Sequence, residues 1–193
     1  MQIWDAEKQI KIREIAEHTS RVSALSWNGP NTLSSGGRDS VILNHDMRQP
    51  GRSASWFTGH QQEVCGMTWS PDGTTLASGG NDNMLCFWDS AMSGSGNRNS
   101  IGGSSHRELR AGSHTPRVVL RDHCAAVKAL AWCPFNRNVL ASGGGTADMC
   151  IRIWNASTST SLHCVNTGSQ VLGIQYAIFD LCFWTTNFTI IIM

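Results

Sequence analysis

Charge is scarce in this chain. Only 15% of its 193 residues are Asp, Glu, Lys or Arg, and the formal net charge is +1. That balance gives nucleic acid or an anionic membrane no electrostatic claim as the main partner, and a solvated surface is the default place for the scattered arginines. Long apolar runs are absent too: the most apolar stretch, Ala177 to Met193, is broken by Asp180, Thr185, Thr186 and Asn187, and a bilayer span takes about 20 residues. With no CxxC pair and no secretory leader, the seven cysteines fit a reducing cytosolic or nuclear compartment better than a disulfide framework. No Walker loop is present and no GxGxxG follows a strand. Gly143-Gly144-Gly145 precedes an apolar run and reads as a turn, not a phosphate cradle. No cofactor is expected.

What the chain does have is repetition, most visible in eight tryptophans. His18, His60 and His123 each stand four residues before a valine (Val22, Val64, Val127) and nine before a tryptophan (Trp27, Trp69, Trp132). Leu-Ser-Ser-Gly-Gly (33–37) and Leu-Ala-Ser-Gly-Gly (76–80, 140–144) follow, then Asp39, Asp82 and Asp148, and six residues later His45, Trp88 and Trp154. In the clearest copy, Glu63 to Trp69, Thr75 to Ser78 and Met84 to Trp88 read as strands, with Ser70-Pro71-Asp72-Gly73 and Gly79-Gly80-Asn81-Asp82 as the turns between them. His18 and His60 lie 42 residues apart, inside the range of about 40–45 for WD-type repeats. The fold class that follows is all-β, a WD-repeat β-propeller fragment.

Residues 1–176 read as a partial propeller: 1–17 the end of a blade, 18–59, 60–122 and 123–166 full copies, and 167–176 the start of another, with Thr167 in the histidine place and Tyr176 in the tryptophan place. His60 and His123 lie 63 apart. The excess falls in a Ser/Gly/Asn/Arg-rich loop, 90–116, which cannot bury enough apolar surface to offset its ordering entropy and is expected to be a mobile connection within one blade. Residues 177–193 form an atypical apolar tail that reads as a non-native terminus. A chain that starts and stops inside blades is expected to be a truncated or mis-spliced version of a longer protein.

Each copy carries His, Ser and Asp: His18/Ser35/Asp39, His60/Ser78/Asp82 and His123/Ser142/Asp148. A single set would suggest a hydrolytic triad, but one active site needs no three copies. The expected arrangement is a buried structural relay in which the indole N–H of Trp88 or Trp154 donates to the serine, the serine to the histidine, and the histidine to the aspartate. His45 replaces the tryptophan in the first copy and can still donate. His123, Cys124, Cys133, Cys150, His163 and Cys164 lack the spacing of a structural zinc site, so no metal is expected. Between the second and third strands the turns vary: Gly37-Arg38-Asp39, Gly80-Asn81-Asp82-Asn83 and Gly145-Thr146-Ala147-Asp148. Asn81, Asn83 and Thr146 are uncharged hydrogen-bonding groups on one rim that can read a peptide, or, for the asparagines, merely suit turn geometry.

Glu63-Val64-Cys65-Gly66-Met67, Ala77 through Asn83, Ala126 through Pro134, and Gly143 through Asp148 continuing to Ile151-Arg152-Ile153-Trp154-Asn155 closely resemble the fizzy family of WD-repeat co-activators of the anaphase-promoting complex. Asn44-His45-Asp46 and Trp132-Cys133-Pro134 look more like its mitotic branch than its fizzy-related branch. The resemblance implies a seven-bladed ring of which this chain holds the end of blade two, blades three to five and the start of blade six. It implies substrate recognition for a ubiquitin ligase without chemistry of its own. Partners would be anaphase-promoting complex subunits, degron-bearing substrates and spindle-checkpoint proteins, in nucleus and cytoplasm. It also implies that groups matching Asn81, Asn83 and Thr146 read KEN-type degrons. The destruction-box groove and the N- and C-terminal docking elements of the family have no counterpart in these residues. A generic WD-repeat interaction scaffold and an inert truncated product are the alternatives.

Overall fold

The computed structural model describes residues 1–49, 55–90 and 113–176, together with the strands Leu181–Thr185 and Thr189–Ile192. Most of the loop 90–116 and parts of the apolar tail (177–180, 186–188 and 193) lie outside the described residues. Among the described residues there is no α-helix, and the regular elements are strands.

The strands form a series of antiparallel meanders. A leading pair, β1 (Gln2–Asp5) and β2 (Ile10–Glu14), is followed by β3 (Val22–Asn28), β4 (Thr32–Gly37), β5 (Val41–Asp46) and β6 (Ser55–Thr58) in one sheet. The next sheet runs β7 (Val64–Trp69), β8 (Thr75–Gly80), β9 (Leu85–Asp89), and then β11 (Val118–Leu120), which pairs antiparallel with β9. Between the last two, β10 (Ser113–His114) returns to the preceding sheet and pairs parallel with β6. A third sheet holds β12 (Val127–Trp132), β13 (Val139–Gly144), β14 (Cys150–Asn155) and β15 (Thr160–Asn166). The last has three strands, β16 (Val171–Tyr176), β17 (Leu181–Thr185) and β18 (Thr189–Ile192).

These sheets are the blades of a propeller. The first strands of successive sheets, β3, β7, β12 and β16, pack against one another in chain order, as strands lining a common axis do. Each middle sheet buries both faces. Leu76, Cys86 and Trp88 pack with Ile42 and Phe57 of the sheet before, while Ala77, Leu85 and Phe87 pack with Trp132, Leu140 and Trp154 of the sheet after. Double burial explains why β9 reads as the continuous apolar run Leu85-Cys86-Phe87-Trp88 and not as the alternation of a sheet with one wet face.

One local reading is corrected. The turn does not start at Gly79: β8 continues through Gly79 and Gly80, as β4 does through Gly36-Gly37 and β13 through Gly143-Gly144. The glycines serve close approach. A Cβ on Gly79 would land on the Val127 carbonyl oxygen and one on Gly66 on the Lys128 carbonyl oxygen, both in the first strand of the next blade. The turn closes over Gly80–Asn83, where the Asn83 N–H donates to the Gly80 carbonyl at 3.2 Å.

Candidate functional site

The repeated polar residues converge in each complete blade. In the second, His60 Nδ1 lies 3.0 Å from Asp82 Oδ2 and His60 Nε2 lies 2.8 Å from Ser78 Oγ, while Trp88 Nε1 donates to the same Ser78 Oγ at 2.7 Å. The third repeats this with His123, Asp148, Ser142 and Trp154, each bond at 2.7 Å. A carboxylate only accepts, so the histidine carries its proton on Nδ1, its Nε2 accepts the serine O–H, and the serine accepts the indole N–H. In the first copy His18 meets Asp39 at 3.0 Å and Ser35 at 2.9 Å, and His45 Nε2, also 2.9 Å from Ser35 Oγ, stands in for the indole. The register is unchanged: Leu33 faces His45 where Leu76 faces Trp88 and Leu140 faces Trp154.

Burial sets the charges of this relay. It opposes ionisation of Asp82, but hydrogen bonds from His60 and the Gln61 N–H outweigh it and hold the carboxyl below its usual range. Asp148 is held low in the same way, by His123 and the Cys124 N–H working against burial. Burial lowers His123 more than its bond to Asp148 raises it, and burial pushes His45 down to about 4. Ser35, Ser78 and Ser142 are 0% exposed, so no substrate can touch their hydroxyls.

The relay aspartate also closes the turn that carries the variable residues. Gln61 N–H and Met84 N–H both donate to Asp82, and Asn81 and Asn83 flank it. Asn81 is exposed, and its N–H donates to Glu63 O at 2.9 Å. Asn83 has φ 64°, and its Nδ2 donates to Cys124 O at 3.2 Å, in the segment leading into β12. Ser40 and Met149 hold the same left-handed place in the other copies, with φ 65° and 53°. Turn geometry alone therefore does not require asparagine at 83. Thr146, exposed on the corresponding turn of the next blade, donates through Oγ1 to Gln170 Oε1 at 3.3 Å, just before β16. Both turns are pinned to the blade that follows.

Two further rim features escaped the sequence reading. Arg21 makes a double contact with Glu63, Nη2 to Oε1 at 2.8 Å and to Oε2 at 3.0 Å, tying the first complete blade to the second. Gln170 joins Thr146. Arg21, Glu63 and Gln170 each lie three residues after the histidine place of their copy, an offset that marks them once the copies are aligned. At the opposite ends of the inner strands lies a cleft of about 380 Å³, lined in part by Trp69, Pro71, Trp132, Pro134 and Tyr176. Among the described residues no group of three or more His, Cys, Asp or Glu is placed to hold a metal ion.

Residues 51–89 and 114–155 match the model of the WD domain, G-beta repeat. The chain is 46% identical over 92% of its length to the anaphase-promoting complex subunit cdc20 of Dictyostelium discoideum, covering 32% of that protein. It is 44% identical over 91% of its length to the anaphase-promoting complex subunit cdh1 of the same organism, covering 24% of it. The chain belongs to the fizzy family. Protein FIZZY-RELATED 1 of Arabidopsis thaliana is 43% identical over 92% of the chain, which covers 33% of it. A chain in the crystal structure of the mitotic checkpoint complex superposes with a TM-score of 0.81 at 38% identity, over 95% of this chain and 52% of that one. The chain thus spans about a quarter to a third of the curated fizzy-family relatives it matches. Identities of 46% to cdc20 and 44% to cdh1 do not separate the mitotic from the fizzy-related branch.

Proposed function

We propose that the chain is the degron-reading part of a co-activator of the anaphase-promoting complex, binding KEN-type peptides on the rim that carries Asn81, Asn83 and Thr146. The observation that carries this reading is the placement of those three side chains. They stand on turns locked by buried relays and tethered to the next blade, so they meet a ligand with little ordering left to do. The names of the relatives, anaphase-promoting complex subunits and a mitotic checkpoint complex, agree with complex subunits, degron-bearing substrates and checkpoint proteins as partners. Nucleus and cytoplasm are the compartments this proposal implies. The chain acts by binding and not by catalysis, since each His-Ser-Asp set is saturated with internal hydrogen bonds and its serine is sealed.

The test is titration of the full chain with a labelled peptide containing a central Lys-Glu-Asn. Asn81→Ala is expected to weaken binding by roughly tenfold, the scale of removing one hydrogen bond from a group already held in place for its ligand. Binding indifferent to that change favours a general WD-repeat scaffold, for which the aromatic cleft at the opposite end is the evident surface.

A further inference from the structure

Asn81 is exposed, yet its side-chain oxygen is not free. The thiol of Cys65, on β7, has two acceptors in reach, Asn81 Oδ1 at 3.2 Å and Glu63 O at 3.5 Å, and the nearer is the carboxamide; Glu63 O already receives the Asn81 N–H at 2.9 Å. An exposed carboxamide without such a bond is free to exchange the positions of its oxygen and nitrogen by rotation. With one lone pair of Oδ1 engaged and the amide orientation fixed, the Asn81 NH₂ turns both its hydrogens to a ligand. Asn83 has the opposite polarity: one Nδ2 hydrogen is used on Cys124 O at 3.2 Å, which leaves both lone pairs of Oδ1. The turn therefore presents chiefly a donor at 81 and chiefly an acceptor at 83.

We propose that Cys65 is a positioning residue of this rim, holding Asn81 so that the turn prefers a ligand amide, with one acceptor and one donor, over a carboxylate, which only accepts. The proposal rests on the reading of the rim as a peptide site. The position is specific to this copy. Its counterpart on β3, Ser23, donates instead to Val64 O at 2.6 Å, and its counterpart on β12 is Lys128. Burial and then the charge of Glu63 push the Cys65 thiol up, which keeps it in the S–H form that donates.

The experiment compares two labelled peptides, one with a central Lys-Glu-Asn and one with Lys-Glu-Asp, on the full 193-residue chain and on the variants Cys65→Ser, Cys65→Val, Cys65→Ala and Asn81→Ala, each checked for an unchanged unfolding transition. Cys65→Ser keeps a donor and is expected to bind within about twofold of the parent. Cys65→Val, or Cys65→Ala should valine disturb the fold, lacks the donor. It is expected to bind the Asn peptide roughly fivefold more weakly and to narrow the preference for Asn over Asp by a similar factor, the scale of one neutral hydrogen bond. If Asn81→Ala weakens binding while the valine and alanine variants keep both affinity and preference, Cys65 has no positioning role and the proposal falls alone. It falls in the same way if serine, valine and alanine all weaken binding alike, since that is a packing effect. If Asn81→Ala changes nothing, the rim reading fails and the proposal fails with it.

Discussion

His45 does with an imidazole what Trp88 and Trp154 do with an indole: it delivers one N–H to a sealed serine. The exchange has a consequence that tryptophan lacks, because histidine titrates. Burial lowers His45 from about 6.5 to about 4 in the folded chain. Between those values the unfolded chain takes up a proton that the folded chain refuses, so the contribution is fully present above pH 6.5 and is lost as pH falls toward 4. The loss amounts to at most about 3 kcal/mol. His45→Gln supplies an N–H that does not titrate, and its unfolding midpoint is expected to fall less steeply than the parent's between about pH 6.5 and 4.5. Parallel acid limbs would refute the assignment. At this scale the His, Ser and Asp places were legible, because three aligned copies made a triad implausible and a relay sensible. The Arg21–Glu63 tie and the Cys65–Asn81 bond were not, because each joins residues whose proximity is set by blade packing, or by strand and turn meeting at the rim.

The blades stack through their inner strands, and the glycines there mark how closely. Gly79→Ala would drive a methyl group into the Val127 carbonyl oxygen and the Val127 side chain, forcing the second and third complete blades apart. It is expected to destabilise the chain by about 1–3 kcal/mol, read as a lower urea midpoint at unchanged slope. An unchanged midpoint would show that the blades are looser than described. The indole N–H of Trp69 makes a second kind of tie, donating at 3.0 Å to Ser34 Oγ in the preceding blade. Ser34 Oγ in turn donates to Asn44 Oδ1 at 2.6 Å, and Asn44 Nδ2 to Ser55 Oγ at 3.2 Å, a buried line across β4, β5 and β6. Strand order and turn sites were readable from the repeat, since period and turn residues are local signals. The Ser-Gly-Gly motif misled for a physical reason. Glycine is the residue of turns and equally of strands that a neighbouring backbone approaches, and only tertiary contacts separate the two.

Across the whole molecule the contrast between covered and uncovered tryptophans follows blade order. Trp69 and Trp132 are buried against the blade before them, whereas Trp27, in the same place on β3, is 51% exposed. The described residues of the tail form strands, β17 and β18, that pair with each other, with β17 also pairing with β16. Sequence reading had no turn or Trp-Asp signal from which to place them. The molecule presents two distinct ends: a polar rim carrying Asn81, Asn83 and Thr146 at the start of the inner strands, and an aromatic cleft at their finish. Peptide recognition on the rim, and not at the cleft, is tested by hydrogen–deuterium exchange of the full chain with and without the Lys-Glu-Asn peptide. Added protection is expected for the backbone around Asn81–Asn83 and Gly145–Asp148, with none around Trp69–Gly73 and Trp132–Asn136. Protection at the cleft residues, with the rim turns unaffected, would contradict it.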